Sequence, residues 1–592
     1  MRVCEKDKEK VMKKYIINIL KTAFCLLLCL VMCLPLFSCK EDEPAETTDT
    51  AQGEEPPFVL TAENIADYRI VVPDRQASAY NDAAIKLQRY LKTTVGVELE
   101  IASDIVVKGS DVYCETEHEI LLGRTERDVI SQVYEGIRGK DSGYALVDGK
   151  IVLVGEGVDT VEASVELFYR EVLSKAVRGE AELLREGESK IAVGAYTYLS
   201  ATVGGVGIEK YTVVYPASSK LGEKAVAEEL CRWVELNTGY VISAVSDSKP
   251  ASEYEIHIGN TSRISADMMA DMESKGMTEE HFYLSQKGGL LWATGTAANS
   301  LRRAVSELTR SFSEGGDLSI SAPVCKKVSQ LDMTVMSYNV RGVTDGSLRN
   351  SENVIVSIRS KSPDVFALQE ATSVEDAPSA KWISRMESAF GNEYDVVLGL
   401  YVGKFSAYQP IYYKKDKFEL VASGSKYLTN TPDEKSMLEG QSEYYRIVTF
   451  AVLRDKQSGV EFVYSNNHFD ISGYAVRTEE AKILAKLLKD YPLLPVIAGG
   501  DYNTNMGSSP MDTLMQKTGL SLGSDIATVK PQTNSSTVSD DYKSINSGDI
   551  IDHVFVSAQR IKVHSYYIWD NKMNGSYPSD HLPVILSLTV NF

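Results

Sequence analysis

Between Ser329 and Phe592 the sequence repeats one pattern, in which short apolar runs each close on a polar or ionisable side chain. Met333-Thr-Val-Met-Ser-Tyr ends at Asn339, and Asp364-Val-Phe-Ala-Leu ends at Gln369-Glu370. Phe462-Val-Tyr-Ser-Asn-Asn leads to His468 and Asp470, and Leu494-Pro-Val-Ile-Ala-Gly-Gly leads to Asp501 and Asn503. Ile550-Ile551 runs into Asp552, and Ser579-Asp580-His581 opens the final run Pro583-Val-Ile-Leu-Ser-Leu. Runs of this length read as buried strands. If they share a sandwich, their polar ends collect at one rim. Only one amphipathic helix is obvious among them, with Ala481, Ile483, Leu484, Leu487 and Leu488 on its buried side.

Each segment alone has an ordinary structural reading. Gly500-Asp-Tyr-Asn reads as a turn, Ser579-Asp-His as a strand-entry loop, and Asn339 as a side chain bonded to neighbouring backbone. Arg446, in Tyr444-Tyr-Arg-Ile-Val, reads as a surface strand residue. In series they carry more. Tyr338-Asn339, Leu368-Gln-Glu370, Asn466-Asn-His468-Phe-Asp470, Gly500-Asp501-Tyr-Asn503, Ile551-Asp552 and Ser579-Asp580-His581 resemble the ordered motifs of the endonuclease/exonuclease/phosphatase superfamily. The resemblance spans about Leu331 to Phe592. It implies a four-layer α/β sandwich, two packed sheets flanked by helices, that hydrolyses phosphodiester or phosphomonoester bonds.

The residue types suit that chemistry independently. Phosphoryl transfer to water needs charge neutralisation, an in-line nucleophile and a stabilised leaving oxygen. Oxygen donors such as Asn339, Glu370 and Asp580 favour Mg²⁺, or Mn²⁺, over zinc. The resemblance implies Glu370 as the principal metal ligand with Asn339 and Asp580 beside it. It implies Asp501 orienting or deprotonating water, Asn503 and Arg446 on phosphoryl oxygens, and His581 on phosphate or water with Asp552 fixing its tautomer. His468 would face the phosphate from the other side. Many relatives place a Glu before the Ile-Tyr-Tyr strand to orient that histidine. Here Ala407 stands at the position, so Tyr408 or Asp470 is left as a substitute.

The N-terminus carries an address. Lys13, Lys14 and Lys21 precede an apolar run beginning at Thr22 and ending in Leu36-Phe37-Ser38-Cys39. This is the form of a secretory signal, short for a membrane span and interrupted by Pro35. Leu-x-Ser-Cys resembles the lipobox of bacterial lipoproteins. The resemblance implies removal of residues 1–38, lipidation of Cys39 and an extracytoplasmic protein anchored to the membrane or cell surface. Residues 39–57 are acidic and Pro-rich, the composition of a disordered tether. Of the later cysteines, Cys114, Cys231 and Cys325 have neither metal-ligand spacing nor a disulfide framework and read as small core residues.

The middle is a duplication. Tyr68-Arg-Ile-Val-Val-Pro73 returns as Tyr211-Thr-Val-Val-Tyr-Pro216, and Glu119-Ile-Leu-Leu-Gly-Arg-Thr125 as Glu255-Ile-His-Ile-Gly-Asn-Thr261. Gly149-Lys-Ile-Val-Leu-Val-Gly155 returns as Gly289-Leu-Leu-Trp-Ala-Thr-Gly295, so offsets of 136 to 143 residues hold throughout. Two repeated small α/β domains, 58–196 and 197–325, are expected before the catalytic domain at 329–592. They resemble the accessory α/β domains preceding the barrel of some hexosaminidases and α-glucuronidases. No paired carboxylates suit glycoside chemistry here, so they read as scaffold, with ligand binding as the alternative.

The formal charge is −20, but the stretch from Lys326 onward carries 27 basic and 31 acidic residues. No clustered basic run marks a duplex-DNA footprint. The expected substrate is therefore an extracellular phosphoester other than duplex DNA. Two alternatives remain: a secreted endonuclease acting on DNA or RNA, and a non-catalytic surface lipoprotein that binds glycans.

Overall fold

A computed structural model describes residues 57–591, apart from 75–76, 106–114, 342–347, 372–380, 403–407, 532–533, 540 and 546–547. The signal, Cys39, nearly all of the tether, Cys114 and Ala407 lie outside the described residues. No helix among the described residues is long and apolar enough to cross a membrane.

Two six-stranded sheets of identical plan come first. In the first, β1 (Arg69–Val72), β2 (Ile101–Ser103), β3 (Glu119–Leu122), β4 (Ser142–Val147), β5 (Lys150–Val154) and β6 (Ser189–Ala192) lie in the order β2-β1-β3-β5-β4-β6. In the second, β7 (Thr212–Tyr215), β8 (Ala244–Ser246), β9 (Glu255–Ile258), β10 (His281–Lys287), β11 (Leu290–Gly295) and β12 (Val324–Lys327) lie as β8-β7-β9-β11-β10-β12. Strands β2, β1, β3 and β5 are parallel, as are their counterparts; β4 and β10 run against them, and the edge strands β6 and β12, antiparallel to β4 and β10, return to the common direction.

The duplication extends to buried polar groups. Arg127 donates to Glu119 Oε2 at 2.7 Å and to Asp104 O at 3.2 Å. Asp104 in turn accepts the Asp74 and Glu126 amides, each at 2.7 Å. In the second unit Arg263 pairs with Glu255 and with Asp247 O, and Asp247 accepts the Ala217 and Ser262 amides at 3.0 and 2.6 Å. Buried charges persist only when paired and bonded. The same lock in both copies therefore belongs to the architecture of the unit.

The remaining residues form the expected α/β sandwich. One sheet comprises β13 (Gln330–Asn339), β14 (Val365–Gln369), β15 (Tyr394–Val397), β16 (Ile411–Lys414), β23 (Ile561–Ile568) and β24 (Val584–Asn591), ordered β15-β16-β14-β13-β24-β23. The other comprises β17 (Phe418–Tyr427), β18 (Ile447–Asp455), β19 (Glu461–His468), β20 (Val496–Asp501), β21 (Ser521–Leu522) and β22 (Asp552–Val556), ordered β17-β18-β19-β20-β22-β21. Leu331, Met333, Val335, Val365, Ala367, Phe462, Tyr464, Ile497 and Val554 fill the layer between the sheets. Met336, Tyr338, Phe366 and Leu368 face helices Leu348–Lys361 and Lys381–Phe390, while Val463, Ala498 and Phe555 face Tyr474–Leu488 and Ser509–Thr518.

Among the described residues these four helices, with the one-turn Gly523–Ile526 beside them, cover the sandwich where sequence periodicity exposes one. The helix Leu348–Lys361 contributes only Val354 and Ile358 to the fully buried cluster, too sparse a stripe to read as a helical period. Gly500-Asp-Tyr-Asn is likewise no simple turn. Gly499, Gly500 and Asp501 belong to β20, in register with Asn466, Asn467 and His468 of β19. Cys231 and Cys325 are free thiols, half-buried at the margins of their clusters rather than inside them.

The second unit packs on the sandwich. Leu493 enters the core of that unit, Arg303 and Arg310 donate to Gly459 O, and Glu229 joins Arg302 to Arg560 across the junction.

Candidate active site

Each sheet has one parallel pair near its centre, β13 with β14 and β19 with β20. Side chains alternate along a strand, so the residues facing the inter-sheet core follow a parity. In β13 the series Leu331, Met333, Val335 continues through Ser337 to Asn339, and in β14 Val365 and Ala367 continue to Gln369. In β19 Phe462 and Tyr464 continue through Asn466 to His468, and in β20 Ile497 continues through Gly499 to Asp501. Antiparallel β22 supplies Asp552 opposite Asp501. The site is the terminal layer of the core, turned polar. Beneath it, Gln369 donates to Ser337 Oγ at 3.2 Å and to Asn466 Oδ1 at 2.7 Å, and Asn466 bonds the Leu368 carbonyl at 2.8 Å.

Glu370 does not obey this parity. It follows β14 with φ 57°, and Asn503 follows β20 with φ 49°, both left-handed. Such conformations cost energy outside glycine and collect at functional sites. They return the two side chains to the rim. Asn339 Nδ2 donates to Glu370 Oε1 at 3.1 Å and to Asp501 Oδ2 at 2.9 Å, while Asn503 donates its amide to Asp501 Oδ1 at 2.8 Å and Nδ2 to Phe469 O at 2.8 Å.

Asp501 Oδ2 is the hub. His468 Nε2 lies 3.6 Å from it and His581 Nε2 3.8 Å. The other nitrogen of His581, Nδ1, sits 2.8 Å from Asp552 Oδ2. That contact leaves Nε2 facing Asp501, the geometry of an acid–His pair. Burial opposes charge on His581, but Asp552, then Asp501 and Asp580, raise its pKa well above the usual imidazole value. His468 moves the other way, held well below that value by burial, Arg446 and His581. Burial, reinforced by Asp552, lifts the Asp501 carboxyl to about 7. Burial also raises Glu370.

The structure brings together Asn339, Glu370, His468, Asp501, Asn503, Asp552 and His581. Asp580 stands beside them with its carboxylate paired to Arg341. Arg446 is buried, its Nε 3.1 Å from Asp470 Oδ2. Asp470 also accepts the Ser442 amide at 3.1 Å and the Ser472 amide at 2.8 Å, so it serves Arg446 and not His468. Sequence reading missed Arg341, two residues beyond Asn339. Ser579, named there only as part of its motif, has a role of its own: its hydroxyl donates to Asn339 O at 2.8 Å.

Asp501, Asp552 and His581 each place a ligand-type atom within 4.8 Å of the others, a group able to hold a metal ion. The surroundings fit a hard cation. Asp552 Oδ1 is buried without a hydrogen-bond partner. Carboxyls displaced upward by burial and by one another mark negative charge in excess of the local donors.

Residues 336–581 match the model of the Endonuclease/Exonuclease/phosphatase family. The sandwich domain therefore belongs to the endonuclease/exonuclease/phosphatase superfamily, whose members are phosphoesterases, typically dependent on divalent metal. Among solved structures the chain is similar to an endonuclease/exonuclease/phosphatase family protein from Bacteroides thetaiotaomicron, at 25% identity and TM-score 0.39, over 45% of this chain and 100% of that one. A Bacteroides vulgatus member aligns at 24% identity and TM-score 0.39, over 44% of this chain and 100% of that one. A mannosyl-6-phosphatase from Bacteroides thetaiotaomicron aligns at 25% identity and TM-score 0.37, over 43% of this chain and 99% of that one. No curated protein matches the sequence.

Proposed function

We propose that this protein is a Mg²⁺-dependent phosphodiesterase, lipid-anchored through Cys39 outside the cytoplasm. The observation that carries the chemistry is the pair of histidines on one carboxylate oxygen with opposite protonation preferences. Environments that push titratable groups apart assign acid and base roles. His581, kept charged by Asp552, suits stabilisation of phosphoryl charge or proton donation to the leaving oxygen. Asp501, aligned by the Asn339 amide and the Asn503 backbone, would once ionised orient water in line and accept its proton. His468, kept neutral, would hydrogen-bond substrate without adding charge. Asn503 and Arg446 would meet phosphoryl oxygens.

Glu370 would hold the ion, with Asn339 beside it and Asp580 joining only on leaving Arg341. The Asp501–Asp552–His581 group is the alternative holder. Mg²⁺, or Mn²⁺ in its place, supplies neutralisation of phosphoryl charge. The two α/β units would act as scaffold between tether and catalytic domain. The near-balanced charge of that domain supports a substrate other than duplex DNA.

The test is hydrolysis of bis-(p-nitrophenyl) phosphate by the purified protein with Mg²⁺, against EDTA. A second panel would set sugar phosphates, phospholipids, nucleotide diesters and plasmid DNA side by side. Turnover unaffected by EDTA would end the metal-dependent reading. Preference for monoesters throughout would make the enzyme a phosphatase.

A further inference from the structure

A cavity of about 520 Å³ lies where the second α/β unit meets the sandwich. Glu229 and Arg232 come from helix Glu223–Thr238 and Arg302 from helix Ala298–Arg310, while Lys489 and Arg560 belong to the sandwich. In a chain of formal charge −20, the wall is strongly cationic, with Arg232, Arg302, Lys489 and Arg560 against the one carboxylate of Glu229. Asp490, 3.9 Å from Arg232, is the nearby counter-charge outside the wall. Four cations against two carboxylates leave two positive charges.

The donors are as unbalanced as the charges. Arg560 is buried, 8% exposed, and its Nη2 serves both Glu229 Oε2 at 2.8 Å and Pro492 O at 3.2 Å. Arg302 reaches the same Glu229 oxygen through Nη1 at 2.7 Å. A guanidinium carries five N–H donors. Among the described residues no acceptor meets Arg560 Nε or Nη1, Arg302 Nε or Nη2, or Lys489 Nζ. The unbonded nitrogens of Arg560 and Arg302 are not fully buried, so an anion in the cavity can reach them. Burial pulls the Arg560 pKa down to about 10, which an anion would reverse. Leu488, Tyr491, Pro492, Leu494 and Leu520 add an apolar wall.

We propose that this cavity binds a small organic phosphate as its dianion, with the phosphate on Arg302 and Arg560 and the organic part against Tyr491 and Pro492. Planar guanidinium forks match phosphate oxygens in pairs. The site is distinct from the catalytic rim. Val496 lines the cavity at one end of β20 and Asp501 stands at the other, about 17 Å away at strand rise. Ligand held there would join the second unit to the sandwich.

The experiment is calorimetric titration of the full chain in EDTA, with Asp501→Asn reporting any binding at the catalytic rim. Inorganic phosphate is the minimal probe, phenyl phosphate the organic one and benzoate the monoanionic control. The expected result is one phenyl phosphate per chain, bound at least tenfold more tightly than benzoate. Arg302→Gln should weaken it at least tenfold and Asp501→Asn should leave it unchanged. If Arg302→Gln fails to fold, Arg232→Ala, at an exposed side chain, should weaken binding in the same direction. Absence of saturable binding, equal affinity in the arginine variants and wild type, benzoate matching phenyl phosphate, or loss in Asp501→Asn would each overturn the proposal.

Discussion

Asp501 concentrates the energetics of the site because its carboxylate is buried, next to a second carboxylate and bonded by two amide donors. Glu370→Gln, Asp501→Asn and His581→Ala should each lower turnover at least about a hundredfold in steady-state assays, the scale of losing an acid–base or charge-stabilising group. His468→Ala should cost less. His581 is fixed by Asp552 at 2.8 Å, whereas among the described residues His468 has Asp501 as its carboxylate contact, at 3.6 Å. Equal losses would show His468 to be held as firmly. The same burial has a stability signature. Folded, metal-free protein keeps the Asp501 proton up to about pH 7, against a reference near 3.8. The folded state therefore binds the extra proton between those values, and this contribution to stability is lost as pH rises through the window. His581 acts in the same sense above the usual imidazole range, and His468 in the opposite sense below it. In EDTA, Asp501→Asn should flatten the fall in Tm between about pH 5 and 8, and Mg²⁺ should raise wild-type Tm most at the alkaline end. A Tm profile identical in variant and wild type would contradict the burial argument.

At the scale of the element, the site depends on two parallel pairs ending together. A Cβ at Gly500 would meet Asn467 O at 2.1 Å and Asn467 Nδ2 at 2.3 Å, and one at Gly499 would meet the Tyr464 hydroxyl at 2.7 Å. Gly500→Ala must push β20 from β19 and shift His468 relative to Asp501. A loss of at least about tenfold in kcat with lower Tm is expected, whereas Gly157→Ala, extended in the first unit with open space around it, should leave kcat unchanged. Much of this was legible in the sequence. Apolar runs closing on Asn339, His468, Asp501 and Asp552 located both the strands and their active ends, because parity carries a core-facing series straight into the rim. What was not legible depends on φ or on distant partners. The left-handed turn that swings Glu370 back has no local glycine to announce it. The engagement of Arg446 by Asp470 is set across strands, and the diversion of Asp580 to Arg341 spans 239 residues. Helix Leu348–Lys361 was hidden because it buries few residues on a narrow stripe, whereas Lys381–Phe390 carries Trp382, Met386 and Phe390 at helical spacing and was legible.

For the whole molecule, the junction between second unit and sandwich is structural as well as cationic. A chain starting at 329 would uncover Leu493 and leave Arg560 without Glu229, whereas one starting at 197 keeps both contacts. The shorter chain should melt lower by scanning fluorimetry, since an unpaired buried cation and exposed apolar surface both weigh against it. Cys39→Ala should move the protein from the membrane to the soluble fraction or stall its processing, and unchanged fractionation would refute the anchor. The two α/β units raise a different matter. Neighbouring copies of one plan invite strand exchange during synthesis. Here the shared Glu–Arg–Asp lock would not object, since both copies carry it. The barrier lies where the copies diverge. Leu121 in β3 has His257 as its counterpart in β9, and Val152 in β5 has Trp292 in β11. His257 stacks on Trp292 with ring centroids 5.2 Å apart and contacts Thr261 Oγ1 at 3.0 Å. A swapped hybrid would set that imidazole against Val152, with a void where the indole belongs, so each nascent strand finds its own sheet by shape.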